Sequence, residues 1–121
     1  MSATLPRSER LRSMGALRRL FDEGESGFVY PFRYMFYLDS AAESASPEVL
    51  FSVPKRYHKR ANKRNLLRRR TKEAYRLNKS MLTIESGALD MALIYSAKEV
   101  VEYKRVENAV KKILGQIAQH L

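Results

Sequence analysis

Apolar side chains recur along the chain with spacings that predict seven elements in the order α-β-β-β-α-β-α. Residues 1–8 are expected to form a flexible arm, and Ser8 is a possible N-cap for the first helix. That helix is expected to close at Gly24, with Glu25–Gly27 as a turn. Its apolar stripe consists of Leu11, Met14, Leu17, Leu20 and Phe21.

Aromatic and β-branched residues dominate the next segment, FVYPFRYMFYLD at 28–39, and predict extended structure. Pro31 interrupts this segment, so we expect either a kink or two short strands at a sheet edge. Pro31 can also shift the alternation of faces. A strict two-residue alternation would place on one face Phe28, Tyr30, Phe32, Tyr34 and Phe36.

The second half of the chain alternates between strand and helix patterns. A polar loop at 40–47 precedes a strand at 49–53, and Asn62 could cap a long helix ending at 78 or 79. The apolar run at 91–97 predicts a central strand, and an amphipathic helix is expected from 101 to 119. A strand, a long helix and a strand in succession predict a crossover within one α+β domain that spans 1–121.

Nearly all of the net charge lies between Lys55 and Lys79. This stretch holds twelve lysines and arginines and one acid, Glu73, for a net charge of +11. The rest of the chain has eleven basic and twelve acidic residues and is nearly neutral. A near-neutral domain with one polycationic element favours a polyanionic partner, and nucleic acid is the main candidate.

The helical wheel separates this basic helix into two sides. Leu66, Leu67, Thr71, Ala74 and Leu77 form the apolar side, on which Arg70 has no explanation. A row of like charges spaced four residues apart repels itself, which makes sense if an anion lies against it. A solvated surface helix is the alternative, but the near absence of acids disfavours it. The cationic arc comprises Arg64, Asn65, Arg68, Arg69, Lys72 and Arg76.

Composition narrows the remaining classes of function. The chain has no cysteine, so disulfides, thiolate metal sites and cysteine nucleophiles are excluded. No apolar run reaches the ~20 residues that span a bilayer, and the N-terminus lacks an apolar signal region, so we expect a cytoplasmic protein without a membrane partner. The two histidines, His58 and His120, stand far apart without an acidic cluster, so we expect neither a protein metal site nor catalytic residues.

The basic stretch resembles the signature of the protein component of bacterial ribonuclease P. Phe51-Ser52-Val53-Pro54 is similar to the strand that leads into that signature, and the order of elements also matches over residues 10–115. The third arginine of the family's Arg-Asn-Arg is Leu66 here. The matching residues are Lys55-Arg56, Ala61, Arg64-Asn65, Arg68-Arg69 and Lys72-Glu73-Ala74-Tyr75-Arg76.

The resemblance implies a two-layer α+β sandwich similar to the second domain of ribosomal protein S5, with the basic helix in a left-handed crossover. It also implies a monomeric protein subunit that binds ribonuclease P RNA and precursor tRNA. The RNA subunit, with Mg²⁺, would remove the 5′ leader, and the protein would lower the Mg²⁺ requirement. The residues expected to bind RNA are Lys55, Arg56, His58, Lys59, Arg60, Lys63, Arg64, Asn65, Arg68, Arg69, Lys72 and Arg76.

The family also holds the single-stranded leader in a cleft lined by aromatic rings. Stacking on aromatic rings beside cations is the usual way to bind single-stranded RNA. Phe21 matches an aromatic residue of the family's cleft, and Leu17 stands where the family often has phenylalanine. The residues expected to line the cleft are Leu17, Phe21, Tyr30, Phe32, Arg33, Tyr34 and Phe36.

Three other functions compete with this interpretation. A structural RNA-binding protein, such as a ribosomal protein or an RNA chaperone, suits the charge and size equally well. A DNA-binding basic helix would need a heptad seam after the basic region, and 80–87 has none. A membrane-surface helix is disfavoured because the apolar side lacks large aromatic residues and is needed for the core.

Overall fold

A computed structural model describes residues 14–39, 47–83 and 87–121. The predicted arm, Ser8, Leu11 and nearly all of the loop predicted at 40–47 lie outside the described residues. The elements follow the predicted order and are α1 (Met14–Glu23), β1 (Glu25–Val29), β2 (Phe32–Asp39), β3 (Glu48–Ser52), α2 (Ala61–Asn78), β4 (Ala88–Tyr95) and α3 (Tyr103–Ala118).

The four strands form one mixed sheet in the order β1-β2-β4-β3. β2 pairs antiparallel with both β1 and β4, whereas β3 and β4 are parallel neighbours joined through α2. The predicted crossover through the basic helix is therefore confirmed, together with the α+β class. None of the helices within the described ranges is long and apolar enough to cross a membrane.

The hairpin between β1 and β2 settles the question raised by Pro31. Two strands form, joined by a turn at Tyr30 and Pro31 whose peptide bond is cis. Phe28 pairs with Arg33, and Val29 pairs with Phe32. Phe28 therefore lies on the opposite face of the sheet from Phe32, contrary to the strict alternation.

The prediction of a turn at Glu25–Gly27 is wrong, because these residues belong to β1. Gly27 pairs with Tyr34, whose ring occupies the space above the glycine. A Cβ atom at Gly27 would lie 2.5 Å from the Tyr34 hydroxyl oxygen. The glycine thus serves cross-strand packing rather than chain reversal.

The main hydrophobic core fills one face of the sheet, beneath α2 and α3. Phe32, Tyr34 and Phe36 project into it from β2, and Tyr75 projects into it from α2. The predicted apolar stripe of the last helix is confirmed, since every member is buried. That stripe consists of Val106, Val110, Ile113, Leu114 and Ile117.

The opposite face of the sheet is only partly covered. Leu20 of α1 packs on Met35 and Ala92 in a small second cluster, with Leu17 at its margin. α1 leaves the rest of this face open, and the open part is where the candidate site lies.

Candidate nucleic-acid interface

The basic residues fall into two connected parts, the basic loop (residues 55–60) and α2. In the basic loop, Lys55, Arg56, Lys59 and Arg60 are exposed. On α2 the exposed members of the predicted RNA-binding set are Lys63, Asn65 and Arg69, while the half-buried members are Arg64, Arg68, Lys72 and Arg76. The fold therefore presents the expected cations as one continuous segment.

Helix α2 begins one residue before the predicted cap Asn62, at Ala61. Its buried side is formed by Leu67, Thr71, Ala74 and Tyr75. Leu77 was expected on that side but is 48% exposed, and Leu66 is half-buried. Tyr75 takes the core position because its ring packs edge-on against Phe51, 5.7 Å between centroids.

Arg70 and Arg76 are among the arginines of α2 that bond within the protein. Arg70, which the wheel left without explanation, donates from Nη1 to the carbonyl of Val101 at 2.8 Å and so fastens α2 to the segment before α3. Arg76 donates from Nε to Glu73 at 3.0 Å. This hydrogen bond, and secondarily the charge of Arg76, lowers the pKa of the Glu73 carboxyl.

His58 was expected to contact RNA, and the structure does not support that role. The residue is only 5% exposed. Its Nε2 lies 2.8 Å from the Ala97 carbonyl oxygen, and its ring packs against Tyr95 at 5.5 Å. Because a carbonyl can only accept, Nε2 is the donor, and His58 anchors the basic loop to the core.

A groove of about 580 Å³ opens on the second face of the sheet, between α1, the β1–β2 hairpin and the basic loop. Phe21 of α1 and Phe28 of β1 contribute rings that are 52% and 58% exposed. The groove is further lined by Gly24, Ser26, Arg33, Met35, Arg56, Tyr57, Ile94 and Ser96.

Of the residues predicted to line a cleft, Phe21 and Arg33 belong to the groove. Phe32, Tyr34 and Phe36 do not, because they project into the core on the other face of the sheet. Phe32 packs edge-on against Tyr95 at 5.6 Å, and the Tyr34 hydroxyl donates to Gln116 Oε1. These rings are committed to packing and are closed to a ligand.

Leu17 and Tyr30 also lie outside the groove lining. Leu17 is a residue of α1 and packs against the small cluster around Leu20. Tyr30 sits in the hairpin turn, where its hydroxyl donates to Glu99 Oε2 at 3.0 Å and the Arg105 guanidinium lies 5.2 Å from its ring. The hydrogen bond to Glu99 raises the pKa of the Tyr30 hydroxyl.

Two groove residues, Phe28 and Tyr57, were absent from the predicted cleft. The hairpin register places Phe28 on the face of Arg33, not on the face of Phe32 to which strict alternation assigns it. Tyr57 lies within the basic stretch, where the guanidinium of Arg56 is 5.1 Å from its ring. An aromatic residue among cations is a recognisable sign of single-stranded RNA binding, so Tyr57 could have been found from sequence.

Three carboxylate side chains lie toward the other end of this face. Asp90 is buried and forms an ion pair with Arg19 Nη2 at 3.4 Å, and Asp39 pairs with Arg19 Nη1 at 3.5 Å. Burial, then the charge of Asp90 and a hydrogen bond to it, raise the pKa of Glu48. Across the residues described, no three histidine or carboxylate side chains are arranged to hold a metal ion.

A family model described as Ribonuclease P matches residues 5–118. The ribonuclease P protein component of Porphyromonas gingivalis is 36% identical over 121 residues, which cover 94% of this chain and 86% of the relative. The corresponding protein of Chlorobaculum tepidum is 38% identical over 109 residues, covering 78% of this chain and 68% of the relative.

Solved structures of bacterial proteins share the fold. The RNase P protein of Staphylococcus aureus superposes with a TM-score of 0.72 at 20% identity, over 92% of this chain and 95% of the other. That of Thermotoga maritima gives a TM-score of 0.71 at 24% identity, over 89% and 96%. With a family match over nearly the whole chain and curated relatives above 35% identity, the chain belongs to the ribonuclease P protein family.

Proposed function

We propose that this chain holds two RNAs at once. The basic loop and α2 bind the RNA subunit of ribonuclease P, and the groove binds the single-stranded 5′ leader of precursor tRNA. The observation that carries the proposal is the pairing, within one groove, of the exposed rings of Phe21 and Phe28 with the guanidinium groups of Arg33 and Arg56.

The groove suits an unpaired strand better than a duplex. The side chains of Phe21 and Phe28 are more than half exposed and so available for base stacking, which contributes about 1–3 kcal/mol per base. Arg33 and Arg56 supply charge for the phosphates that connect the stacked bases. Bases in a duplex are already stacked and paired, so these rings would have no surface to contact.

Helix α2 suits a folded RNA. It presents Arg69 and the half-buried Arg68 and Lys72 along one side, on a helix fixed to the core by Leu67 and Tyr75. A rigid row of cations recognises the phosphate spacing of a structured RNA, and the binding constant should fall steeply with salt. Base-specific contacts are not needed for such an interface.

The protein contributes binding and electrostatics, and the RNA subunit with its Mg²⁺ ions carries out the hydrolysis. Phosphates of the leader and of the RNA subunit repel each other where they meet. Cations of the groove and the basic loop reduce this repulsion, which is a task that extra Mg²⁺ would otherwise perform. We further propose that the chain acts as one domain, as a monomer within the complex, in the cytoplasm.

The test is cleavage of precursor tRNA by a bacterial ribonuclease P RNA at a low Mg²⁺ concentration, with and without this protein. We expect cleavage to be restored only when both RNA and protein are present, and the protein alone to cleave nothing. Failure to lower the Mg²⁺ requirement, with the protein folded and bound to the RNA, would refute the processing role.

A second assay separates the two surfaces. Holoenzyme affinity is compared for precursor tRNA with and without its leader. Arg33→Gln is expected to lower the affinity for the substrate with a leader and to leave the affinity for mature tRNA unchanged. Equal loss on both substrates would place the leader elsewhere.

A further inference from the structure

The basic loop is built as a turn whose exposed end faces the groove. The backbone N–H groups of Tyr57 and His58 both donate to the carbonyl of Pro54, at 3.2 and 3.4 Å. This turn places Arg56 and Tyr57 in the groove lining, while Lys59 and Arg60 lead into α2. The loop therefore joins the groove to the basic helix.

Two side chains anchor the second half of this loop. His58 is inserted into the core, against Tyr95 and the Ala97 carbonyl. Arg64, one turn into α2, reaches back and donates from Nη1 to the carbonyl of Lys59 at 2.7 Å and to that of His58 at 3.1 Å. Hydrogen bonds from a charged donor are stronger than those between neutral groups, and here one guanidinium makes two of them to the loop.

These bonds satisfy carbonyls of the loop and do not cap the free N–H groups at the start of α2. The N-cap residue of α2, Arg60, makes no side-chain capping bond. The carbonyls of residues 58 and 59 point toward α2, and the guanidinium of Arg64 satisfies them. Arg69, five residues further along α2, is exposed and donates to neither of these loop carbonyls, so the two arginines differ in what their side chains do.

We propose that Arg64 is a positioning residue for the groove. By holding the carbonyls of residues 58 and 59 it fixes the loop, and the fixed loop holds Arg56 and Tyr57 against the open face of the sheet. Arg64 belongs to the stretch that would bind the RNA subunit, yet its effect reaches the leader site. This effect on the leader rests on the function proposed above for the groove.

Amide hydrogen exchange in the free protein tests the anchoring itself. Arg64→Met removes the guanidinium and keeps a long apolar stem, Arg64→Lys keeps the charge, and Arg69→Met is the matched control on the same helix. We expect exchange at Tyr57 and His58 to accelerate about tenfold in Arg64→Met, as the loss of a charge-assisted bond allows. Arg69→Met should leave it unchanged.

Leader discrimination tests the consequence. The ratio of affinities for precursor tRNA with and without a leader is measured with saturating protein, so that weaker assembly does not enter. We expect the ratio to fall about tenfold in Arg64→Met and in Arg64→Lys, because a single ammonium group on a shorter side chain does not reproduce the shared bond. Arg69→Met should weaken assembly and preserve the ratio.

Two outcomes would overturn the proposal. If the amides of Tyr57 and His58 exchange at the same rate in Arg64→Met as in the unaltered protein, Arg64 does not hold the loop. An Arg64→Lys protein that keeps full leader discrimination would show that charge alone matters. A thermal midpoint within a few degrees of the unaltered protein, required of each variant, separates both outcomes from unfolding.

Failure of the proposed function would look different. In that case the unaltered holoenzyme itself would show no preference for a leader, while the exchange experiment on the free protein would still report whether Arg64 holds the loop.

Discussion

The two faces of the sheet carry aromatic rings of the same kind and use them in opposite ways. On the face beneath α2 and α3, Phe32, Tyr34 and Phe36 are buried among apolar neighbours. On the face beside α1, Phe28 and Phe21 remain more than half exposed and lie next to arginines. An aromatic-rich strand therefore predicts neither role by itself, because the covering elements decide which face stays open.

The hairpin at Tyr30 and Pro31 sets the assignment of each ring. Had the strand run on without a turn, Phe28 and Phe32 would share a face. Because the chain reverses, Phe28 pairs with Arg33 across the hairpin, and both lie on the open face of the sheet. Val29 pairs with Phe32, and both lie on the core face. One turn therefore divides a single aromatic segment between the core and the open groove.

Phe32→Ala should have the largest effect, and on stability alone. Phe32 is fully buried and packs against Tyr95, so its truncation should cost about 3–5 kcal/mol of unfolding free energy. Urea unfolding followed by circular dichroism measures this loss. A normal unfolding midpoint combined with weak leader binding would mean that the two faces have been assigned the wrong way round.

Phe28→Ala should have the opposite profile. Its exposed ring supports little of the fold, so the unfolding free energy should change by less than about 0.5 kcal/mol. Holoenzyme affinity for a substrate with a leader should fall by the equivalent of about 1–3 kcal/mol, the contribution of one stacked base. Fluorescence titration with labelled precursor tRNA measures it, and mature tRNA is the control substrate.

Tyr34→Phe probes the core face more gently. It deletes the hydroxyl that donates to Gln116 and leaves the ring in place over Gly27. We expect a loss of about 1 kcal/mol in unfolding free energy and unaltered leader affinity. Reduced leader affinity in this variant would show that packing on the core face also affects ligand binding in the groove.

Glu48→Gln should give the smallest effect, visible mainly as pH dependence. Glu48 stands opposite Asp90 in the paired strands, and burial together with that neighbour raises its pKa. The folded state thus favours the protonated carboxyl, so stability is greatest below the ordinary pKa and declines as pH rises through the raised value. The substitution should remove this decline and add about 0.5 kcal/mol near neutral pH.

Urea midpoints measured between about pH 4 and pH 8 would show that pattern for Glu48. Parallel curves for the unaltered protein and Glu48→Gln would contradict it. Asp39→Asn is a useful control, since Asp39 pairs with Arg19 at the same end of the face and lies across from Ala88 rather than from a carboxylate.

Local patterns predicted the fold well. The apolar stripe of α3 and the order of all seven elements followed from spacing alone, because each helix buries one face and each strand is bounded by loop residues. The strand predicted at 91–97 instead spans Ala88–Tyr95. The strand was predicted to begin too late because Asp90 is polar. The ion pair with Arg19 of α1, distant in the sequence, allows the Asp90 side chain to be buried within β4.

The candidate site was predictable in composition and less so in geometry. The basic stretch indicated the candidate interface. The burial of His58 depends on Ala97, and the hydrogen bond of Arg70 depends on Val101, both about thirty or more residues away in the sequence. Phe21 and Arg33, predicted to line a leader cleft, line the groove, whereas Phe28 reaches it only through the hairpin register. Long-range pairing is the part that spacing along a chain does not encode.

The position of β1 at the edge of the sheet gives the groove an adaptable wall. Among the strands that the structure describes, β1 forms its ladder with β2 alone, so it can fray without breaking the pairing of β2 with β4. Opening of such an edge costs much less than global unfolding. Phe28 lies on this edge, so in the proposed leader complex its ring can shift with strands of different base sequence while the core beneath stays closed.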